Sequence, residues 1–343
     1  MNINDIQRRL RSLGAGPRHE ETVLRAWLRG QAIAADALPQ MHRPPAAVCA
    51  DLPALATHLA GLATVHSEHA GEDGSVRLLL DLADGQTIES VLLPRDGVCV
   101  STQVGCAVGC VFCMTGRDGL QRQLTDIEIV AQVVLARARR PVKKVVFMGM
   151  GEPAHNLAAV MSAIDLLATI GGIGQKNLVF STVGDRRVFE RLPLGPVRPA
   201  LALSLHSSDA ALRAKLLPRA PAIEPAELVE LGERYARATH YPIQYQWTVL
   251  EGVNDTDAEL DGIVRLLAGK YAVMNLIPYN AIEGLPFSRP AAARAEAMSY
   301  YLYQRGILTK LRQSAGQDID GGCGQLRARA ARRKRSVVRA GDE

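Results

Sequence analysis

TDIEIVAQVVLARARRPVKKVVFMGM (125–150) reads as one helix handing over to one strand. Thr125 followed by Glu128 is a capping-box pattern that starts the helix, and KKVVFMGM (143–150) is a β-rich run. The same rhythm continues downstream. NLVFSTV (177–183), RPALALSLH (198–206), YPIQYQWTVL (241–250) and YAVMNLIPY (271–279) read as strands, with a sixth near GILTKL (306–311). Helical stretches such as NLAAVMSAIDLLATIG, PAELVELGERYARAT and DTDAELDGIVRLLAG separate them. The β runs show little polar alternation, as expected of strands buried on both faces. A βαβα succession over roughly 200 residues predicts a parallel α/β domain, barrel or doubly wound, with its functional loops beyond the carboxyl ends of the strands.

Upstream, residues 1–45 read as short helices, with Leu10, Leu13, Val23, Leu24, Trp27 and Leu28 as core positions. Residues 46–95 are expected to form a small β-rich segment, because SVRLLLDLADGQTIESVLLP (75–94) holds two β runs joined by ADGQ, a hairpin signal. The βα domain then spans 96–312, and 313–343 form a C-terminal segment. The chain of 343 residues is 48% hydrophobic and 22% charged, enough to bury a large core. No apolar run approaches the length of a membrane span, and the charged start is unlike a signal peptide, so a cytoplasmic monomer with no membrane contact is expected.

The net charge of +5 is unevenly spread. Seven Arg or Lys fall between Arg327 and Arg339, and Arg8, Arg9, Arg11, Arg18, Arg25 and Arg29 lie in the first thirty residues. Basic ends suit a polyanion such as RNA, or are simply solvated. At 4% aromatic residues, a stacking platform for single strands is not apparent.

Four of the six cysteines fall in CVSTQVGCAVGCVFC (99–113). Cys106, Cys110 and Cys113 are spaced C-x3-C-x2-C, while Cys99 stands apart. Clustered thiols in a reducing compartment point to metal or thiol chemistry. Three thiolates from one loop cannot complete a tetrahedral zinc site, whereas an iron–sulfur cluster held by three keeps one iron open. MGMGEP (148–153) ends a strand with glycines that admit a ligand to the backbone and with Glu152, able to accept from an ammonium group.

The C-x3-C-x2-C spacing resembles the radical S-adenosylmethionine (SAM) superfamily. With it, CVSTQVGC, MGMGEP, ALSLH, VLEGVND, NLIPYN and DIDGGCGQL together resemble the radical-SAM methyltransferases of adenine carbon in RNA, from about Glu89 to Leu326. The resemblance implies a partial (βα)6 barrel with a small N-terminal helical/β accessory domain. It implies one [4Fe-4S] cluster on Cys106, Cys110 and Cys113, and SAM as the second cofactor. SAM contacts would fall on Gly151, Glu152, Ser181, Ser204, Leu205, His206 and Asn280. Cys323 would carry the methyl group to C2, or in close relatives C8, of an adenine. Glu89 would accept the proton from the base and Cys99 would resolve the covalent adduct. The implied partners are RNA, 23S rRNA or tRNA, and an electron donor such as flavodoxin. Two alternatives remain open on the residues: another radical-SAM enzyme, which needs neither outlying cysteine, and a non-catalytic iron–sulfur or metal protein that binds RNA. Cys49 has no motif.

Overall fold

The computed structural model describes residues 1–328; the basic tail expected beyond Arg327 lies almost wholly outside the described residues. Three helices lead the chain, α1 (Ile3–Ser12), α2 (Pro17–Leu28) and α3 (Ala46–Ala60). The strands β1 (Ala63–Ala70), β2 (Val76–Leu82), β3 (Thr87–Leu93) and β4 (Gly97–Cys99) follow, then the short pair β5 (Gln103–Gly105) and β6 (Leu120–Gln123). Helices and strands then alternate: α4 (Asp126–Arg137), β7 (Lys144–Phe147), α5 (Leu157–Thr169), β8 (Leu178–Thr182), α6 (Arg186–Arg191), β9 (Ala200–Ser204), α7 (Ala210–Leu216), α8 (Pro225–Thr239), β10 (Ile243–Val249), α9 (Asp257–Leu267), β11 (Ala272–Pro278), α10 (Ala292–Gln304) and β12 (Thr309–Leu311).

One sheet orders these strands β1-β2-β3-β4-β7-β8-β9-β10-β11-β12. Pairing is antiparallel from β1 to β4 and parallel from β4 to β12, and the outermost strands are not paired to each other. An α/β open barrel results, built on right-handed βα crossovers. The six expected parallel strands are all present, and β4 adds a seventh at the front. Three residues are too few to give a periodic signal in sequence. The accessory strands are continuous with the barrel sheet through β3 and β4. In the segment expected to be β-rich, AAVCADLPALATHLA instead forms α3, because Ala and Leu dominate it and Pro45 stands at its N-cap.

Register carries each face across the sheet. The Tyr245 hydroxyl donates to the Val229 carbonyl of α8 at 3.4 Å, so Tyr245 and its row face the helices. Phe147, Phe180, Leu201, Leu203, Trp247 and Leu276 share that face and are fully buried. The opposite, inner face carries Cys99, Lys144, Ser181, Ser204, Gln244, Gln246, Asn275 and Lys310. In IQYQWTV the sequence alternates, its apolar positions entering the core while Gln244, Gln246 and Thr248 line a chamber; β7, β8, β9 and β11 are buried on both faces as expected, with Val146, Val179 and Ala202 also on the inner face.

The N-terminal helices pack on the outside of the barrel and share its core through Ile6, Leu10, Val23, Leu24 and Leu28. Their basic character is largely spent internally. Arg8 pairs with Asp5, Arg9 with Asp51, Arg11 with Glu20 and Arg25 with Glu21, while Arg18 and Arg29 are in no ion pair among the described residues.

Helix α4 has the capping box its sequence promised: Glu128 N donates to Thr125 Oγ1 at 3.3 Å and Thr125 N to the Glu128 carboxylate at 2.8 Å. One turn on, buried Gln132 joins this helix to β3 and to the link between β4 and β5. Its Oε1 accepts from Ser90 Oγ at 2.6 Å and Ser101 N at 2.8 Å, and its Nε2 donates to Ser101 O at 2.9 Å. Gln132→Leu leaves these groups buried without partners and is expected to cost about 2–4 kcal/mol, read from urea unfolding curves; an unchanged midpoint would show that the linkage carries no stability.

Candidate active site

Cys106, Cys110 and Cys113 lie on the loop between β5 and β6. Backbone bonds pin this loop from several sides: Cys106 N to Gly119 O at 3.1 Å, Val111 N to Leu216 O at 3.1 Å and Met114 N to Gly324 O at 2.8 Å. Burial pushes the Cys106 thiol up to about 12, with Glu152 and Cys113 adding to the effect. Burial also raises Cys110, then the charges of Cys113 and Cys106, and it raises Cys113. The three thiols are thus electrostatic neighbours that cannot all ionise unless positive charge joins them. Among the described residues no three His, Cys, Asp or Glu side chains converge as ligands of one ion. An iron–sulfur cluster, which takes one thiolate at each of several corners, fits this spread set of donors; a single zinc at about 2.3 Å from every sulfur does not. The Phe112 ring between the last two thiols meets His206 edge-on at 4.9 Å.

The strand-end residues gather on the same side. Gly151 has φ +102°, and a side chain there would run into Gln103, whose Oε1 also accepts from Glu152 N at 2.7 Å. Glu152 turns its carboxylate into the protein, accepting from Ala154 N and Val183 N, both at 3.0 Å. Burial pushes it up to about 7, against the pull of the Thr182 hydroxyl and those amides. Ser181 and Ser204 are half-buried on the inner face, and Leu205 sends its side chain into the core, away from any ligand. His206 adopts φ +59°, a strained conformation for a non-glycine residue. The strain is held by Asn254, whose Nδ2 donates to His206 O at 2.7 Å, and by Thr248 N, which donates to His206 Nδ1 at 3.0 Å. The acceptor role of Nδ1 puts the proton on Nε2.

Residues 313–328 form a strap from the end of β12 back to the accessory strands. Gly316 N donates to Asp73 Oδ2 at 3.0 Å, and Glu72 N to Asp318 Oδ2 at 2.9 Å. Asn280 Nδ2 donates to Ser314 Oγ and to Cys323 O, both at 3.0 Å. Thr115 Oγ1 donates to Leu326 O at 2.8 Å, and Arg327 N donates to Glu89 Oε2 at 2.7 Å. Gly324 has φ +86°, and a side chain there would press on Phe112 O at 3.2 Å. Cys323 is exposed to solvent yet enclosed by these elements, an arrangement that suits an open chamber. Burial pushes Cys99 up to about 12, and the nearby Cys323 adds to this; Cys323 bears in the same way on Cys113. Glu89 is wholly buried, with its other oxygen accepting from Arg77 Nη1 at 2.5 Å. The strap therefore gathers Cys99, Cys113, Glu89, Asn280 and Cys323. Sequence reasoning missed Asn254, Gln103, Arg77 and the buried Arg213, whose charge acts on Cys110 and Glu152. Asn254 had a signal as part of VLEGVND, and Gln103 as part of CVSTQVGC.

A family model for the radical SAM superfamily matches residues 100–263. A probable RNA methyltransferase of Aromatoleum aromaticum is 71% identical over 329 residues, 96% of this chain and 93% of the relative. Another from Azoarcus sp. is 67% identical over 335 residues, 98% of this chain and 96% of the relative. Among solved structures, a radical SAM methyltransferase from Sphaerobacter thermophilus superimposes with a TM-score of 0.84 at 37% identity, covering 96% of this chain and 98% of that one.

Burial pushes His206 down to about 3, with Arg213 adding to the effect. Below the free imidazole value of about 6.5 the unfolded chain takes a proton that folded His206 refuses, so stability falls as pH drops from there toward 3. Between pH 7 and pH 5 this amounts to about 2 kcal/mol. His206→Gln keeps an acceptor for Thr248 N and is expected to lose about that much less across the interval in urea unfolding; identical pH dependence would overturn the assignment.

Proposed function

Because the chain belongs to the radical SAM RNA methyltransferases, whose cofactors are a [4Fe-4S] cluster and SAM, we propose that it methylates an adenine ring carbon of RNA through Cys323. The target atom is C2, with C8 as the alternative, in 23S rRNA or tRNA. The observation that carries the reading is the strap: Cys323 is tied to the three-cysteine loop at Met114 and Thr115, with Cys99 and Cys113 within electrostatic range. A radical-SAM enzyme of another class needs the loop alone and gives no reason for this gathering.

Carbon 2 of adenine lies between two ring nitrogens and is too electron-poor to attack a methyl donor directly. When bound to Cys106, Cys110 and Cys113, the cluster supplies SAM with the electron that starts hydrogen abstraction. The chain's own residues do the rest. Cys323 takes a methyl group on sulfur and becomes the point at which the base is joined to the protein. Glu89 accepts the proton that the base carbon must lose, its buried carboxylate fixed by Arg77 and Arg327 N–H. Cys99 then attacks the Cys323 sulfur: a disulfide forms, the carbon–sulfur bond breaks with its electron pair going to the methylene carbon, that carbon takes up the proton given up by the Cys99 thiol, and the methylated base leaves. Buried Cys99 stays a thiol until that step. Gly151, Glu152, Ser181, Ser204, His206 and Asn280 hold SAM beside the loop, and Leu205 contributes only main chain.

Protein purified with its cluster is expected to carry one added methyl group on the Cys323 peptide by mass spectrometry. Cys99→Ala is expected to accumulate as a covalent protein–RNA adduct, and normal release of methylated RNA from it would sink the role of Cys99. Nucleoside analysis of rRNA and tRNA from cells with and without the gene tests the target: loss of 2-methyladenosine is expected, and loss of 8-methyladenosine would move the reaction to C8.

A further inference from the structure

The inner face carries cations that methyl transfer does not use. Lys144 opens β7, Lys310 lies in β12, and Arg312 follows it. Register sets Lys310 opposite Asn275 and in one row with Gln246 and Ser204. Lys144 is on the same face, two residues before Val146, the partner of Cys99. The curl of the sheet brings the groups together, since Lys144 feels the charges of Arg312 and Lys310 and Arg312 in turn acts on Cys323. Arg312 therefore lies within electrostatic reach of the reactive sulfur, and Lys144 within reach of Arg312 and Lys310.

Among the described residues, no aspartate or glutamate forms an ion pair with any of the three. Asn275, only 1% exposed, leaves its Nδ2 without a partner in the same row. Lys144 is half-buried among like charges, while Lys310 and Arg312 reach solvent with the buried Asn275 amide opposite Lys310; both the confined charge and the orphaned donor are relieved when an anion with several acceptor oxygens joins them. The carboxylate of SAM belongs elsewhere, because Lys144 is at the amino end of β7 and Gly151 and Glu152 follow its carboxyl end. The N-terminal arginines are mostly paired, so they are poor substitutes as a phosphate anchor.

We propose that Lys144, Lys310 and Arg312, with Asn275, bind backbone phosphate of the RNA next to the target base and so seat that base against Cys323. This rests on the reading of the chain as an RNA methyltransferase acting through Cys323. The test uses full-length protein with its cluster, total rRNA and total tRNA as probes, and Lys144→Gln, Lys310→Gln, Arg312→Gln and the triple variant. Iron content and thermal melting identify folded, loaded protein. Each single change is expected to weaken RNA binding roughly 5–10-fold near physiological salt and to lower the slope of log affinity against log salt by about 0.7–1. Lys144→Arg is expected to restore both, which separates lost charge from lost structure. Unchanged RNA affinity and salt slope in the loaded triple variant would overturn the proposal. Loss of SAM affinity with RNA affinity intact would overturn it too, by assigning the cations to the SAM carboxylate. RNA bound in the expected charge-dependent way by a protein that never methylates Cys323 would instead overturn the reading of Cys323 and leave the anchor standing.

Discussion

Two hydrogen bonds across more than two hundred residues of chain underlie the candidate site: Met114 N to Gly324 O and Thr115 Oγ1 to Leu326 O. Each is worth little by itself, on the order of 1 kcal/mol. Their leverage comes from the barrel, which has already brought β4 and β12 into one sheet before the strap is laid. With the strap bonded to the cysteine loop, to Asn280 and to Glu89, an exposed cysteine becomes part of a fixed arrangement.

The sheet divides its labour by face. Outward rows bury Phe147, Phe180, Tyr245, Trp247 and Leu276 under helices and supply the apolar burial that holds the barrel together. Inward rows present Ser, Gln, Asn and Lys among small apolar residues such as Val146, Val179 and Ala202, and those polar groups would not be tolerated in a closed core without partners. Fold stability and chemistry are thus written on alternate residues of the same strands. A substitution at Trp247 and one at Gln246 test different properties although the residues adjoin.

The three-cysteine loop, the capped helix α4, the strand order after it and the motif cysteines were legible in sequence because each depends on local spacing. The strap was not, because its anchors at Asp73, Asn280 and Glu89 come from distant segments. Strand β4 escaped notice through its length, and α3 through the weight given to the neighbouring hairpin. The polar inner face of β10 was present in IQYQWTV as strict alternation, while its neighbours are buried on both faces as their apolar runs suggested. The basic amino terminus misled for another reason: Arg9 meets Asp51, and Arg11 meets Glu20, only after folding. The 71% identical relative and the superimposable methyltransferase establish the family, while the roles given to individual side chains belong to the proposal.

The bonds of the strap at Asp73, Asp318, Asn280 and Arg327 also bear on timing. A swinging arm could collect its cargo at one station and deliver it at another. A stitched segment has one station, so on the proposed chemistry loading of Cys323 and delivery to the base share the same small volume and must take turns. The first SAM has to leave before the second is used, and RNA that arrives too early would meet an uncharged carrier. Order of arrival thus becomes a built-in control on the cycle, set by a handful of hydrogen bonds.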